Sequence, residues 1–331
     1  MMKILILGGT SFVGRHVAEE ALRRGHDVTV FNRGLSAAPD GAAAIVGDRL
    51  AKGGYANLDG HSFDAVVDTW ATDPAAVESA VAALRGRVKH YIYVSTISVY
   101  NFEGAPRPFA ESTPLFDPEK TEVQYFKDKV RGERFALQSG VPTALIRPGV
   151  ILGPFENIWR LPWWLTRMAR GGKTLAPGPR DMQLQFIDAR DLARFVVVDV
   201  AERRLDGAYN LVSEMAHISM GDFLETANSV AGGGKAELCW LGMDKVKEAG
   251  IGDWVEMPMW VARPEAKDRP AYQVDVSRAM EAGLKIRPAK ETIADTWEWL
   301  KSLDDDGLPA GIKVGLDPDK EKRALDTYCT L

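Results

Sequence analysis

Seven residues near the start of the chain, Gly8-Gly9-Thr10-Ser11-Phe12-Val13-Gly14, are of the types that hold a phosphate. The apolar run Ile4 to Leu7 breaks into them, and a helical pattern with Val17, Ala18, Ala21 and Leu22 follows. Strand, tight loop and helix in that order let a glycine backbone approach a pyrophosphate, whose charge meets the free N–H groups and positive dipole of the helix start. A Gly-rich turn by itself reports only a need for positive φ. Here Gly25-His26-Asp27 ends the helix before a second strand, Val28 to Phe31, and the complete unit predicts a dinucleotide, NAD or NADP. Asn32 and Arg33 follow, where a carboxylate would otherwise grip the adenosine ribose 2′-OH. Asn32 does not repel a 2′-phosphate and Arg33 can pair with one, so NADP is favoured slightly over NAD.

A second constellation lies in residues 121 to 138, TEVQYFKDKVRGERFALQ, a helical segment ended by Ser139-Gly140 and Pro142. Tyr125 and Lys129 stand four apart in it and share one face. A free tyrosine titrates near pH 10, about three units too high for efficient proton transfer at neutrality. A lysine cation nearby favours the phenolate and lowers that barrier. An amphipathic surface helix could carry the same pair, but no other tyrosine of this chain has lysine four residues on.

The elements that must position these groups alternate. Ala43 to Val46 reads as a strand ending in Gly47-Asp48, Phe63 to Asp68 as another, and 74 to 85 as a helix with Pro74 in its first turn. Tyr91 to Val94 leads into Ser95-Thr96-Ile97-Ser98-Val99-Tyr100, and Thr143 to Ile146 into Arg147-Pro148-Gly149-Val150. Such alternation predicts a parallel sheet covered on both faces, with ligands beyond the carboxyl ends of its strands. That rule puts Gly8 to Gly14, Asp48, Thr69-Trp70-Ala71 and Ser95-Thr96 on one rim. Beyond Pro154 the pattern changes to Trp159, Trp163, Trp164 and a Gly/Pro-rich turn; Gln185 to Ala193 starts another helix, and Gly207 to Val212 reads as a late strand. The expected fold class is α/β, a Rossmann-type doubly wound parallel sheet with a smaller interleaved C-terminal substrate domain. Residues 1–153 and 183–212 form the expected dinucleotide-binding domain, 154–182 and 213–331 the substrate domain and C-terminal tail.

Composition sets the bounds. With 331 residues, 46% apolar and 26% charged, the chain can bury a large core. A formal charge of −5 offers no overall basic field, so no nucleic-acid partner is expected. Cys239 and Cys329, far apart and outside any Cys/His cluster, predict neither a disulfide nor a metal site. No apolar stretch approaches the roughly 18 residues of a membrane span, and a cytoplasmic location without membrane partners is the expectation. Trp240, Trp254 and Trp260, like the three earlier tryptophans, are expected mostly in the core, as are His90 and His217; Asp304-Asp305-Asp306 reads as a solvated loop.

In this order GGTSFVG, Asp48, VSTISVY, Tyr125-x-x-x-Lys129, RPGVILGP, QFIDARDLA and the late VDVSRAMEAGLKIRP resemble the extended short-chain dehydrogenase/reductase family, the NAD-dependent epimerase/dehydratases. The resemblance covers nearly the whole chain. It implies that Thr96 holds the reacting oxygen, Tyr125 is the acid/base, and Lys129 grips the nicotinamide ribose. The set of cofactor-binding residues is then Gly8, Thr10, Ser11, Phe12, Val13, Gly14, Asn32, Arg33, Asp48, Thr69, Trp70, Lys129, Pro148 and Val150.

Departures narrow the expectation. Ser11 replaces the middle glycine of the family loop. Ile97 and Ser98 stand where the family's dehydratases carry Asp-Glu, which disfavours dehydration by that route. Leu184 stands where nucleotide-sugar epimerases place an arginine, and Arg180, Arg263 and Arg269 lie out of that register, which disfavours a nucleotide-diphosphate substrate. The sequence therefore predicts an NAD(P)-dependent oxidoreductase moving hydride to or from a secondary alcohol or ketone carbon of a sugar-like small molecule, with a homodimer compatible. Two alternatives remain open: an epimerase that retains its cofactor, and an RNA-binding or cofactor-sensing protein without turnover, since plastid relatives of this branch are associated with RNA.

Overall fold

The computed structural model describes residues 1–262, 272–303 and 312–329. Its first elements are β1 (Lys3–Leu7), α1 (Phe12–Arg23), β2 (Asp27–Asn32), β3 (Ala43–Val46), β4 (Ala65–Asp68), α2 (Ala75–Leu84), β5 (Tyr91–Val94), α3 (Gln124–Ala136) and β6 (Thr143–Pro148). There follow β7 (Val150–Leu152), α4 (Arg160–Arg170), β8 (Gly172–Pro177), β9 (Gln183–Leu184), β10 (Phe186–Asp188), α5 (Ala189–Arg194), β11 (Gly207–Leu211) and β12 (Ile218–Ser219). The last are α6 (Met220–Ala227), β13 (Ala236–Leu241), α7 (Met243–Glu248), α8 (Ser277–Ala282), α9 (Ala289–Lys301) and α10 (Pro318–Tyr328). Two compact units result, one of residues 1–150, 189–212 and 274–286, the other of 151–188, 213–273 and 287–331.

The first unit is built on a seven-stranded sheet in the order β11-β6-β5-β4-β1-β2-β3, parallel throughout. Strands β1, β4, β5 and β6 read as near-continuous apolar runs because helices cover both of their faces. Ile4, Leu5, Ile6, Val66, Val67 and Ile92 are fully buried. Register is fixed by pairs such as Leu7↔Phe31 and Leu7↔Asp68, which bring the ends of β1, β2 and β4 level. One edge of the sheet, β3, is largely exposed, in keeping with its short length.

In the second unit β8 pairs parallel with β13 and β9 antiparallel with β12. Trp159, Trp163, Trp164 and Trp260 are buried in it, and the last two donate indole N–H groups to the Pro258 and Gly178 carbonyls at 2.7 and 2.8 Å. These tryptophans are core, as expected; Trp254 is exposed and Trp240 lies half-buried beneath the Arg180 guanidinium. His90, in the first unit, is also core, with Nε2 at 3.0 Å from the Leu205 carbonyl and burial holding its pKa down.

Three expectations change. Cys239 and Cys329 form a disulfide, with Cα atoms 6.2 Å apart. Separation along the chain gave no hint of it, because α10 doubles back onto β8 and so carries Cys329 beside β13. Residues 151–153 and 183–188 join the second unit, since β10 pairs with β7 rather than with the large sheet. Residues 274–286 join the first, where Val274 bridges Phe109 and the Asp275 carbonyl accepts from Asn210 Nδ2 at 3.0 Å. Arg263, Arg269 and Asp304 to Asp306 lie outside the described residues, as do parts of the tail from Gly307 to Leu331.

Candidate active site

The carboxyl ends of β1, β2, β4, β5 and β6 carry the loops in which most of the expected residues fall. After β1 the chain turns sharply. Gly8 adopts φ +116°, and a Cβ there would lie 2.5 Å from Thr69 Oγ1; a Cβ on Gly14 would lie 2.6 Å from the Gly9 nitrogen. The first turn of α1 can therefore settle directly on the loop. Ser11 is the N-cap of α1 but its side chain makes no capping bond, and the first turn holds no acidic residue. The helix start is thus uncapped by side chains and free of negative charge, which suits a pyrophosphate. Ser11 is exposed, Thr10 and Val13 half-buried, and Phe12 buried with φ +35°.

At the end of β2, Asn32 Oδ1 accepts from the Gly34 N–H at 2.6 Å, which sets the turn and leaves Arg33 exposed. Asp48 is exposed, with Oδ1 accepting from the Leu50 N–H at 3.0 Å. Thr69 ties the end of β4 to that of β1 through Oγ1 and the Leu7 carbonyl, 2.9 Å apart. Gly149, between Pro148 and Val150, donates its N–H to the Leu211 carbonyl at 3.0 Å, and Val150 is buried.

Thr96 follows β5 and caps a short 3₁₀ turn, its Oγ1 accepting from the Ser98 N–H at 3.2 Å. The hydroxyl proton keeps its own donor capacity. Beside it the Ser95 hydroxyl is buried with no hydrogen-bond partner among the described residues, an unmet polar demand at this rim.

Lys129 comes from the middle of α3 and its side chain is almost wholly buried. Its Nζ donates to the carbonyls of Trp70 and Val94, both at 2.7 Å, and stands 4.9 Å from the centre of the Tyr93 ring. An ammonium has three donors, so one remains for a ribose hydroxyl. Burial pushes the Lys129 pKa down to about 7, against the pull of the Asp68 and Glu133 carboxylates. Tyr125, at the second position of α3, is 43% exposed and meets Phe126 edge to face. The structure thus brings Lys129 to the ends of β4 and β5, with Thr96 two residues past β5 and Tyr125 one helical turn before Lys129.

Sequence reasoning missed the residues beneath Trp70. Asp68 is fully buried and bidentate with Arg49, both contacts at 2.7 Å, and it accepts from the Tyr91 hydroxyl at 2.7 Å. The Trp70 ring lies 4.9 Å from the Arg49 guanidinium and its indole N–H donates to the Asp73 carbonyl at 2.7 Å. What Trp70 offers Lys129 is its main-chain oxygen. A carboxylate closing the apolar strand AVVD was the available signal, because a buried charge demands a partner.

The sequence pattern of the NAD dependent epimerase/dehydratase family matches residues 4–211. The chain belongs to that family. Among curated proteins it is 28% identical over 207 residues to the chloroplast stem-loop binding protein of 41 kDa b of Arabidopsis thaliana, a match covering 58% of this chain and about half, 53%, of that protein. Among solved structures it is similar to the Bordetella bronchiseptica enzyme WbmH in complex with NAD+, with TM-score 0.71, 20% identity, and 92% of this chain and 100% of that one covered. It is also similar to UDP-N-acetylglucosamine 4-epimerase from Bacillus cereus, with TM-score 0.69, 18% identity, and 92% and 98% covered. The seven-stranded parallel sheet agrees with the Rossmann-type fold of these structures. No helix among the described residues is long and apolar enough to cross a membrane.

Proposed function

We propose that the protein is an NAD(P)-dependent oxidoreductase acting on a secondary alcohol or ketone carbon of a sugar-like small molecule. The observation that carries this reading is the buried Lys129 ammonium, fixed by two carbonyls at the ends of adjacent strands and keeping one donor for a ribose hydroxyl. Gly8, Thr10, Ser11, Phe12, Val13 and Gly14 would hold the pyrophosphate, Asn32, Arg33 and Asp48 the adenosine end, and Thr69, Trp70, Lys129, Pro148 and Val150 the nicotinamide end. The bound nicotinamide supplies the hydride acceptor or donor. Thr96 hydrogen-bonds the reacting oxygen, and Tyr125 gives or takes its proton at the phenol oxygen. Lys129 holds the ribose and favours the phenolate. Arg33, exposed beside an uncharged Asn32, supports NADP over NAD.

The test mixes purified protein with either nicotinamide and a panel of sugars and alcohols, following the absorbance of the reduced cofactor. Tyr125→Phe should lower turnover by about 10²–10⁴-fold with cofactor affinity kept; unchanged turnover would sink the assignment. Similarity to a 4-epimerase supports a second outcome of the same residues, in which cofactor stays bound and the sugar centre inverts without net absorbance change. The name of the Arabidopsis relative supports a reading of another class, stem-loop binding without turnover. RNA-hairpin binding that weakens with salt, with no substrate oxidised or reduced, would establish that reading instead.

A further inference from the structure

Asp68 stands at the end of β4, where the strand leaves the sheet, and none of its surface reaches solvent. Its oxygens are filled from four directions. Arg49 donates to both at 2.7 Å, the Tyr91 hydroxyl to Oδ2 at 2.7 Å, and the Trp70 N–H to Oδ1 at 3.0 Å. Arg49 is itself held by the Tyr55 hydroxyl at 2.8 Å and the Ala76 carbonyl at 3.0 Å. With its N–H on Asp68, its ring against Arg49 and its indole N–H on Asp73, Trp70 is anchored at three points. The carbonyl so fixed accepts from Lys129 Nζ at 2.7 Å and from the Tyr93 hydroxyl at 3.3 Å.

We propose that Asp68 is a positioning residue for Lys129, acting through the main chain of Trp70 and as a buried counter-charge. The proposal deepens the functional reading above and rests on it for the role of Lys129. A buried ion pair is a poor stabiliser, since well-packed apolar residues of similar volume often replace one at no loss. Its place two residues before Trp70, whose carbonyl is the lysine's acceptor, therefore points to a use beyond scaffolding. The charged and titratable groups near Lys129 include Asp68 from β4, Arg49 from the segment before β4, Glu133 and, one turn away, Tyr125 from its own helix, and Tyr93 from β5. Glu133 is engaged by Arg147 in a bidentate pair at 2.7 and 2.9 Å. Asp68, with Glu133, thus favours the charged amine against burial and Arg49.

The experiment labels the full-length protein with ¹³Cε-lysine and follows Lys129 by NMR against pH, alongside the pH profile of kcat. In Asp68→Asn the Lys129 midpoint should fall by about one unit or more, and the alkaline limb of kcat should move with it while substrate KM stays. That variant leaves the buried Arg49 without its counter-charge, so Arg49→Met/Asp68→Leu is made beside it. The double variant removes both charges, should fold, and should shift the midpoint in the same direction, because the Trp70 carbonyl that accepts from Nζ loses its anchors on Asp68 and Arg49. A Lys129 midpoint unmoved in either folded variant overturns the proposal, as does failure of both variants to fold, which would make the cluster a scaffold. The NMR readout needs no substrate. A shifted lysine in a protein that turns nothing over would keep this proposal and discard the enzymatic reading.

Discussion

Replacing Gly14 by alanine sets two opposing effects against each other. Inside a helix the exchange normally stabilises by roughly 0.5–1 kcal/mol, because glycine loses more backbone entropy on folding. Here the new methyl would lie 2.6 Å from the Gly9 nitrogen and 3.0 Å from the Gly9 Cα, main-chain atoms that no rotamer change can move aside. Relief requires the first turn of α1 to lift off the loop, and overpacking of this kind costs about 1–3 kcal/mol. Strain wins, leaving a net loss of about 1–2 kcal/mol. Binding the pyrophosphate would press the lifted turn back onto the loop and restore that strain, so Kd for the cofactor should rise about 5- to 30-fold, by the factor of ten that each 1.4 kcal/mol represents. Calorimetric unfolding and isothermal titration with NAD and NADP measure both quantities. Ser11→Ala is the control: its side chain is exposed and caps nothing, so stability should stay within about 0.5 kcal/mol. A Gly14→Ala protein with raised Tm and undiminished affinity would refute the reasoning.

The pKa of Lys129, held by burial at about 7 against 10.5 in the open chain, makes stability depend on pH. Between those values the unfolded chain binds the extra proton, so the contribution of this group rises with pH. Tm of the wild type should climb relative to Lys129→Met from neutrality to pH 10, as kcat falls with loss of the ammonium. Arg33→Ala should weaken NADP about tenfold, the worth of one charge-assisted contact, and leave NAD untouched in a fluorescence titration. The disulfide closes a loop between residues 90 apart, and such a crosslink is worth roughly 2–4 kcal/mol. A reductant should lower Tm of the oxidised wild type and leave Cys239→Ser unmoved.

Local signals carried much of the first unit. The run Ile4 to Leu7, the glycines after it and the spacing of Val17, Ala18 and Ala21 foretold β1, its loop and α1, because each obeys a rule of period or φ that neighbours in sequence settle. Asp48, Thr69 and Thr96 were likewise legible as strand-end residues, since the ends of parallel strands share a rim. What stayed hidden depends on partners distant along the chain. Arg49 and Asp68 are 19 residues apart and look like ordinary charges until the fold buries them. Cys239 and Cys329 meet only because α10 reverses direction, and the return of 274–286 to the first unit leaves no periodic trace. Tyr125 was marked by its spacing from Lys129, but spacing says nothing of exposure, and the structure leaves that ring half in water.

The position of β11 has a consequence for biosynthesis. It completes the large sheet by pairing with β6 through Gly207↔Ala144 to Leu211↔Pro148, yet residues 151–188 of the other unit are translated between the two strands. Until residue 211 clears the ribosome, the flank of β6 offers unpaired N–H and C=O groups, the kind of surface on which nascent chains stick to one another. Slow translation through the inserted segment, or a chain cut short within it, should therefore make chaperone demand and aggregation rise.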